Sequence, residues 1–174
     1  MKKLLIVIDM QNDFINGALE TEEAQAIVPN VKAKIEEYRN QGHDIIFTRD
    51  THFDNYLCTQ EGKKLPVEHC ISGTRGWEIA EELCADQVRT MRTIDKTSFG
   101  YSHWLDYTLY RFDEIELCGL CTDICVVSNA LIIKACVPET PITIDARCCA
   151  GVTPETHKAA LTTMKMCQIN VIGE

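Results

Sequence analysis

The stretch LLIVIDMQNDF, residues 4–14, decides the fold. Five apolar, β-favouring residues, Leu4 to Ile8, run without a polar break and stop at Asp9. An unbroken apolar run of strand length suits a strand buried on both faces, as in a parallel sheet. Outward from it, strand and helix alternate. Residues 22–40 carry Ala26, Ile27, Val31, Ile35 and Tyr38 at helical spacing, with Gly42 where a helix should stop. Residues 43–48 (HDIIFT) read as a second strand. Residues 77–84 read as a helix, 87–94 as a strand, and 104–112 as a helix with Ser102 as its cap. Then come a strand at 114–117, a helix at 123–135, a strand at 142–145, a helix at 154–167 and a strand at 169–172. Residues 50–74 have no clean period, and a stretch so long inside a domain is usually functional.

Six such alternations predict one domain over residues 1–174: an α/β, doubly wound, six-stranded parallel sheet with helices on both faces and right-handed crossovers. The excursion at about 50–74 is its one departure. A chain of 174 residues buries roughly 70% of its extended surface, so it needs no covalent staples. Seventeen basic against 26 acidic residues give a net charge of −9, which argues against nucleic acid or an anionic membrane as partner. The first apolar run turns acidic too soon for a secretory signal, and no run approaches the roughly 18 residues of a membrane span. A cytoplasmic protein with reduced thiols is expected, most of its ten cysteines serving as small buried hydrophobes. A homo-oligomer is expected as well.

In a doubly wound sheet the site lies beyond the carboxyl ends of the strands. The first strand ends at Asp9, the second runs into Asp50 and His52, the third leads to Lys96, and the fourth to Cys121 and Cys125. Singly, Asp9 is an ordinary turn residue, Lys96 a surface charge and Cys125 a core residue. Their coincidence on one rim points to an activated nucleophile. A lysine beside a thiol, and a helix start at Cys125, are expected to lower the thiol pKa below its ordinary value of ~8.5. A carboxylate can take the thiol proton and return it to a leaving amine. Asp50 and His52, two apart, with Glu61 and His69 farther along, are a candidate metal set; Cys58 and Cys70 could compete. Cys118 and Cys121 form a C-x-x-C pair, but Cys118 falls inside a strand, which favours packing over redox chemistry.

These positions together resemble the isochorismatase-like cysteine hydrolases. The likeness runs from D-x-Q-x-D-F at Asp9–Phe14 through Thr48–His52 and Lys96–Phe99 to G-x-x-T-D-x-C-V at Gly119–Val126. It implies an Asp9, Lys96 and Cys125 triad, a cis peptide between Leu120 and Cys121, and an oxyanion hole from the N–H groups of Cys121 and Cys125. The metal-bearing subgroup is similar to the nicotinamidases. That likeness implies a divalent metal, foremost Zn with Fe or Mn as alternatives, on Asp50, His52, Glu61 and His69. It also implies a small-molecule amide, nicotinamide first, over Cys125. The tryptophan such proteins carry before the His-Cys pair is absent: residues 64–68 read KLPVE. Phe14 would form one wall of the ring pocket and Leu65 or Tyr101 the other. The alternatives are a hydrolase of another small amide or ureido compound, and an idle metal-binding or scaffold protein.

Overall fold

The computed structural model describes residues 1–83 and 91–174. Six strands form one sheet: β1 (Lys3–Ile8), β2 (Asp44–Asp50), β3 (Met91–Lys96), β4 (Glu114–Leu120), β5 (Ile142–Ala150) and β6 (Asn170–Ile172). Their order is β3-β2-β1-β4-β5-β6, and every pairing is parallel. The chain therefore winds one way from β1 to β3 and the other way from β4 to β6. The reversal falls between β1 and β4, where a ligand crevice opens in such sheets.

The helices are α1 (Asn12–Ile15), α2 (Glu22–Asn40), α3 (Gln60–Lys64), α4 (Val127–Cys136) and α5 (Pro154–Met166). Helix α2 covers one face, touching β1, β2, β4 and β5. Helices α4 and α5 follow crossovers that run the opposite way, and right-handed connection places them on the other face. The buried stripe of α2 is Ala24, Ile27, Val31, Ile35 and Tyr38. Ala24 replaces the expected Ala26 because it continues the three-four spacing back to the cap, where Thr21 accepts from the Ala24 N–H. Beneath this stripe Lys34 Nζ meets Glu116 Oε1 at 2.8 Å and Asp145 Oδ2 at 3.1 Å, and Tyr38 donates to Glu116 Oε2 at 2.6 Å.

Several expectations are corrected. Residues 77–80 are not helical: Ile79 bridges Gln11, the Ala80 N–H donates to the Met10 carbonyl, and the Asn12 N–H donates to the Glu78 carbonyl. Those backbone groups are taken by the loop after β1, and a 3-10 turn at Glu81–Leu83 follows among the described residues. The third strand is described over Met91–Lys96, and residues 84–90 of the expected helix and strand lie outside the described residues. The helix expected at 104–112 is two 3-10 turns, Trp104–Asp106 and Leu109–Arg111, and Ser102 caps neither. Trp104, Tyr101 and Tyr107 stack edge to face here, which fixes the segment by aromatic packing instead of a helical ladder. The excursion after β2 holds a 3-10 turn at Tyr56–Cys58 and α3. Strands β4 and β5 run farther than expected, to Leu120 and Ala150.

Candidate active site

Strand β1 delivers Asp9 to the crevice in a left-handed conformation, φ 48°. A non-glycine residue there costs about 1 kcal/mol or more, a strain that concentrates at functional sites. The neighbouring strand makes room: a Cβ on Gly119, φ 116°, would overlap the Ile8 backbone. Asp9 Oδ1 accepts from Thr48 Oγ1 at 2.6 Å. Its Oδ2 lies 2.6 Å from Lys96 Nζ as an ion pair, yet has no well-aligned hydrogen-bond donor. Lys96 ends β3. Its ammonium also lies 3.5 Å from Cys125 Sγ, 3.5 Å from Asp50 Oδ1 and 3.2 Å from the Ser98 carbonyl. Asp9, Lys96 and Cys125 are all buried.

Cys125 rides on a π-helical turn, Thr122–Val126, between β4 and α4. The preceding Leu120–Cys121 peptide is cis. The Cys121 carbonyl accepts from the N–H groups of Ile124 and Val126, passing over the intervening Cys125 N–H. That pattern suits a backbone donor aimed at a developing oxyanion. Fully buried Asn129 donates to the Cys125 carbonyl at 2.7 Å.

The electrostatics correct one expectation. Burial pushes the Cys125 thiol well above its ordinary pKa; Lys96 opposes this, while Asp9 and Asp50 reinforce it. Asp9 is likewise raised by burial, against the pull of Lys96. For Lys96, burial disfavours the charge, but Asp9, Cys125 and Asp50 outweigh it and keep the ammonium protonated. The sequence led us to expect a lowered thiol pKa. Desolvation and two carboxylates instead raise it, and Asp9 stands beside Lys96 as the group that could take the thiol proton.

Asp50 faces both ways. Its Oδ1 looks toward Lys96, and its Oδ2 lies 2.9 Å from His52 Nε2 and 3.6 Å from His69 Nε2. Glu61 Oε1, on α3, lies 3.7 and 3.9 Å from the same two nitrogens. One donor atom from each of these four residues falls within 4.8 Å of the others. His69 Nδ1 contacts the Val67 carbonyl at 2.8 Å, a partner that commonly turns Nε2 toward a metal. His52 Nε2 is buried with no well-aligned hydrogen-bond partner. An orphaned imidazole nitrogen facing two carboxylates and a second imidazole fits a divalent cation.

Other residues around this set went unremarked in the sequence reading. Gln11 clasps Asp50, donating to its carbonyl at 2.8 Å and accepting from its N–H at 2.7 Å. Asp13 accepts from the Cys70 N–H at 2.7 Å and so fixes the chain just after His69. Both were legible as the remaining polar members of the motif after β1. Buried Tyr56 packs its ring 4.6 Å from His52 and 5.1 Å from His69, and nothing in its sequence context marked it.

A cavity of about 990 Å³ opens over both groups. Cys121 and Cys125 line it together with Asp50, His52, Glu61 and His69. Phe14 stands against His69 with ring centroids 5.7 Å apart, and Leu65 is at the rim. Tyr101 does not line the cavity: its ring lies against Trp104 and Tyr107. Phe99 and Ile124, unremarked in the sequence, line it instead. Cys118 is fully buried within β4, and no helix of the described residues is long and apolar enough to cross a membrane.

A doubly wound sheet with a carboxylate, an ammonium and a thiol at its switch point has the architecture of a nucleophilic hydrolase. Residues 3–173 match the isochorismatase domain, and the chain belongs to that family of hydrolases. A probable inactive nicotinamidase of Arabidopsis thaliana is 30% identical, over 92% of this chain and 87% of that one. A crystal structure of nicotinamidase/pyrazinamidase from Bacillus subtilis superposes with a TM-score of 0.85 at 29% identity, covering 98% of this chain and 99% of that one. A pyrazinamidase of Pyrococcus horikoshii in complex with zinc superposes with a TM-score of 0.84 at 26% identity, covering 100% of both chains.

Proposed function

We propose that the protein hydrolyses nicotinamide to nicotinate and ammonia through a thioester on Cys125. The observation that carries this reading is Lys96 Nζ, 2.6 Å from Asp9 Oδ2 and 3.5 Å from Cys125 Sγ, beside a cluster of metal-ligating donors in one cavity. Asp9 takes the thiol proton as Cys125 Sγ attacks the amide carbon. The oxyanion is held by the N–H groups of Cys121 and Cys125. As the C–N bond breaks, Asp9 gives the proton to the departing ammonia. Asp9 then takes a proton from water as its oxygen attacks the thioester; the C–S bond breaks, Asp9 returns that proton to sulfur, and the acid product sheds its own proton to solvent as nicotinate. Lys96 keeps Asp9 and the sulfur in register and balances their charge throughout.

Asp50, His52, Glu61 and His69 would hold a divalent cation, Zn foremost with Fe or Mn as alternatives. When bound, it supplies a Lewis-acidic partner for the pyridine nitrogen, orienting the amide. Phe14 covers one side of the ring and Leu65 the other, in place of a second aromatic wall. An aliphatic neighbour forgoes ~0.5–1.5 kcal/mol relative to an aromatic pair, so a broad range of amides is expected.

The test is kcat/KM by ammonia release for nicotinamide, benzamide and an aliphatic ureido compound. Nicotinamide should be fastest and benzamide far slower in kcat as well as KM. A faster ureido compound would transfer the assignment to that class, which the open Leu65 side of the cavity would suit.

A further inference from the structure

Two contacts lash the turn that carries Cys125 to the start of α5. Thr122 Oγ1 and His157 Nδ1 lie 2.8 Å apart, and the Asp123 carboxylate accepts from the Val152 N–H at 3.1 and 3.2 Å. Thr122 is fully buried, and His157 is half-buried in the first turns of α5. That helix end is itself anchored. Thr153 and Thr156 form a reciprocal capping box, Pro154 opens the helix, and Ala160, Leu161 and Met164 bury its inner face. The approach is so close that a Cβ on Gly151 would come within 2.9 Å of the His157 Cβ. A glycine just after β5 thus lets the start of α5 approach this closely.

We infer that His157 is a positioning residue for the oxyanion hole, acting through Thr122. This rests on the acyl-transfer reading above. Thr122 stands between the two residues whose N–H groups would bind the oxyanion. On the Cys125 side the turn is held by Asn129, which grips the Cys125 carbonyl. On the Cys121 side the grip is Thr122 on His157. Release of that grip lets the two N–H groups diverge, and donors that no longer converge lose their worth in the transition state. His157 itself does not line the cavity, so ground-state substrate binding should not feel its loss. Either tautomer serves, since a threonine hydroxyl can donate or accept. An asparagine at 157 presents an amide near the place of Nδ1 and should serve as well.

The experiment compares His157→Ala and His157→Asn with the wild type by steady-state ammonia release from nicotinamide and by amide hydrogen exchange. For His157→Ala, kcat should fall about tenfold or more, short of the ~10²–10³ of deleting an oxyanion donor outright, with KM unchanged. Exchange across residues 121–126 should accelerate while β1 stays protected. His157→Asn should recover most of both. If His157→Ala does not fold, Thr122→Val removes the same contact at constant size and should show the same split. Wild-type kcat and exchange in His157→Ala overturn the proposal, and so does an Asn variant as impaired as Ala, because packing alone would then explain the loss. A wild type that releases no ammonia from nicotinamide fails the substrate reading instead. The exchange data then decide alone: acceleration at 121–126 supports the tie, and none overturns it.

Discussion

Asn129 offers the sharpest test of how the nucleophile turn is built. Its side chain is fully buried and every hydrogen-bonding position is used. The amide donates to the carbonyls of Cys125 and Phe99 at 2.7 and 3.0 Å. Oδ1 accepts from the Tyr101 N–H at 2.9 Å and from Trp104 Nε1 at 2.8 Å. Asn129→Ala strands all four partners, but not equally. The Phe99 bond is part-buried, so that carbonyl can turn to water, whereas Trp104 is fully buried and its indole N–H cannot. A stranded buried donor costs about 1–3 kcal/mol. With the Tyr101 N–H partly rehydrated, the total is about 3 kcal/mol. For a chain of this size that lowers Tm by roughly 6–12 °C. The assay is urea unfolding at fixed pH, with thermal unfolding beside it. Trp104→Phe removes the costliest donor, so Asn129→Ala should cost about 1 kcal/mol less in that background than alone. A single-variant loss under ~1 kcal/mol, the value of one replaceable surface contact, would refute this reasoning, as would full additivity of the pair.

Further outcomes follow from the site. Asp9→Asn and Lys96→Met should each lower kcat for nicotinamide by several orders of magnitude, and the double variant should be little worse than either, because residues acting as one unit are not additive; multiplying losses in steady-state assays would separate their roles. Removing divalent metal with a chelator should abolish nicotinamide hydrolysis while iodoacetamide still alkylates Cys125, scored by mass spectrometry; undiminished activity in metal-free protein would refute the role given to the Asp50, His52, Glu61 and His69 cluster. Asp145 titrates below the ordinary carboxylate range: burial opposes this, but Arg147 and Lys34 outweigh it. A depressed folded pKa contributes stability above the unfolded value of about 3.9 and loses it as pH falls through the folded one. Asp145→Asn should therefore destabilise the protein at neutral pH and flatten the acid limb of its stability curve, read by urea unfolding across pH; an unchanged acid limb would count against the Asp145 contacts.

The sheet was legible because buried parallel strands read as unbroken apolar runs, and Leu4–Ile8 is one. The rim was legible for the same reason: whatever polar residue ends such a run must lie at the crevice. Asp9, Lys96 and Asp50 were found that way. The spacing of Asp50 and His52 marked the candidate metal set, and tertiary structure brings Glu61 and His69 to it. What failed depended on contacts distant in sequence. Residues 104–112 have helical apolar spacing, but Asn129 and two tyrosines claim the Trp104 side chain first. Tyr101 looked able to reach the ring pocket, but the loop turns it to Trp104 and leaves Phe99 to line the cavity. The direction of the Cys125 pKa shift was illegible, since a sequence shows a neighbouring lysine but not the depth of burial. His157 lies 35 residues from Thr122 and carries no mark of its role.

The central claim is that Cys125 Sγ bonds covalently to the substrate acyl group. Rapid-quench mass spectrometry during nicotinamide turnover tests it most directly. One nicotinoyl group is expected on the peptide bearing Cys125, appearing within a single turnover and decaying as nicotinate forms, and absent from Cys125→Ala, which should remain folded and inactive. Ammonia release by Cys125→Ala, or an acyl group on Cys121 or Cys118 with Cys125 unmodified, would contradict it.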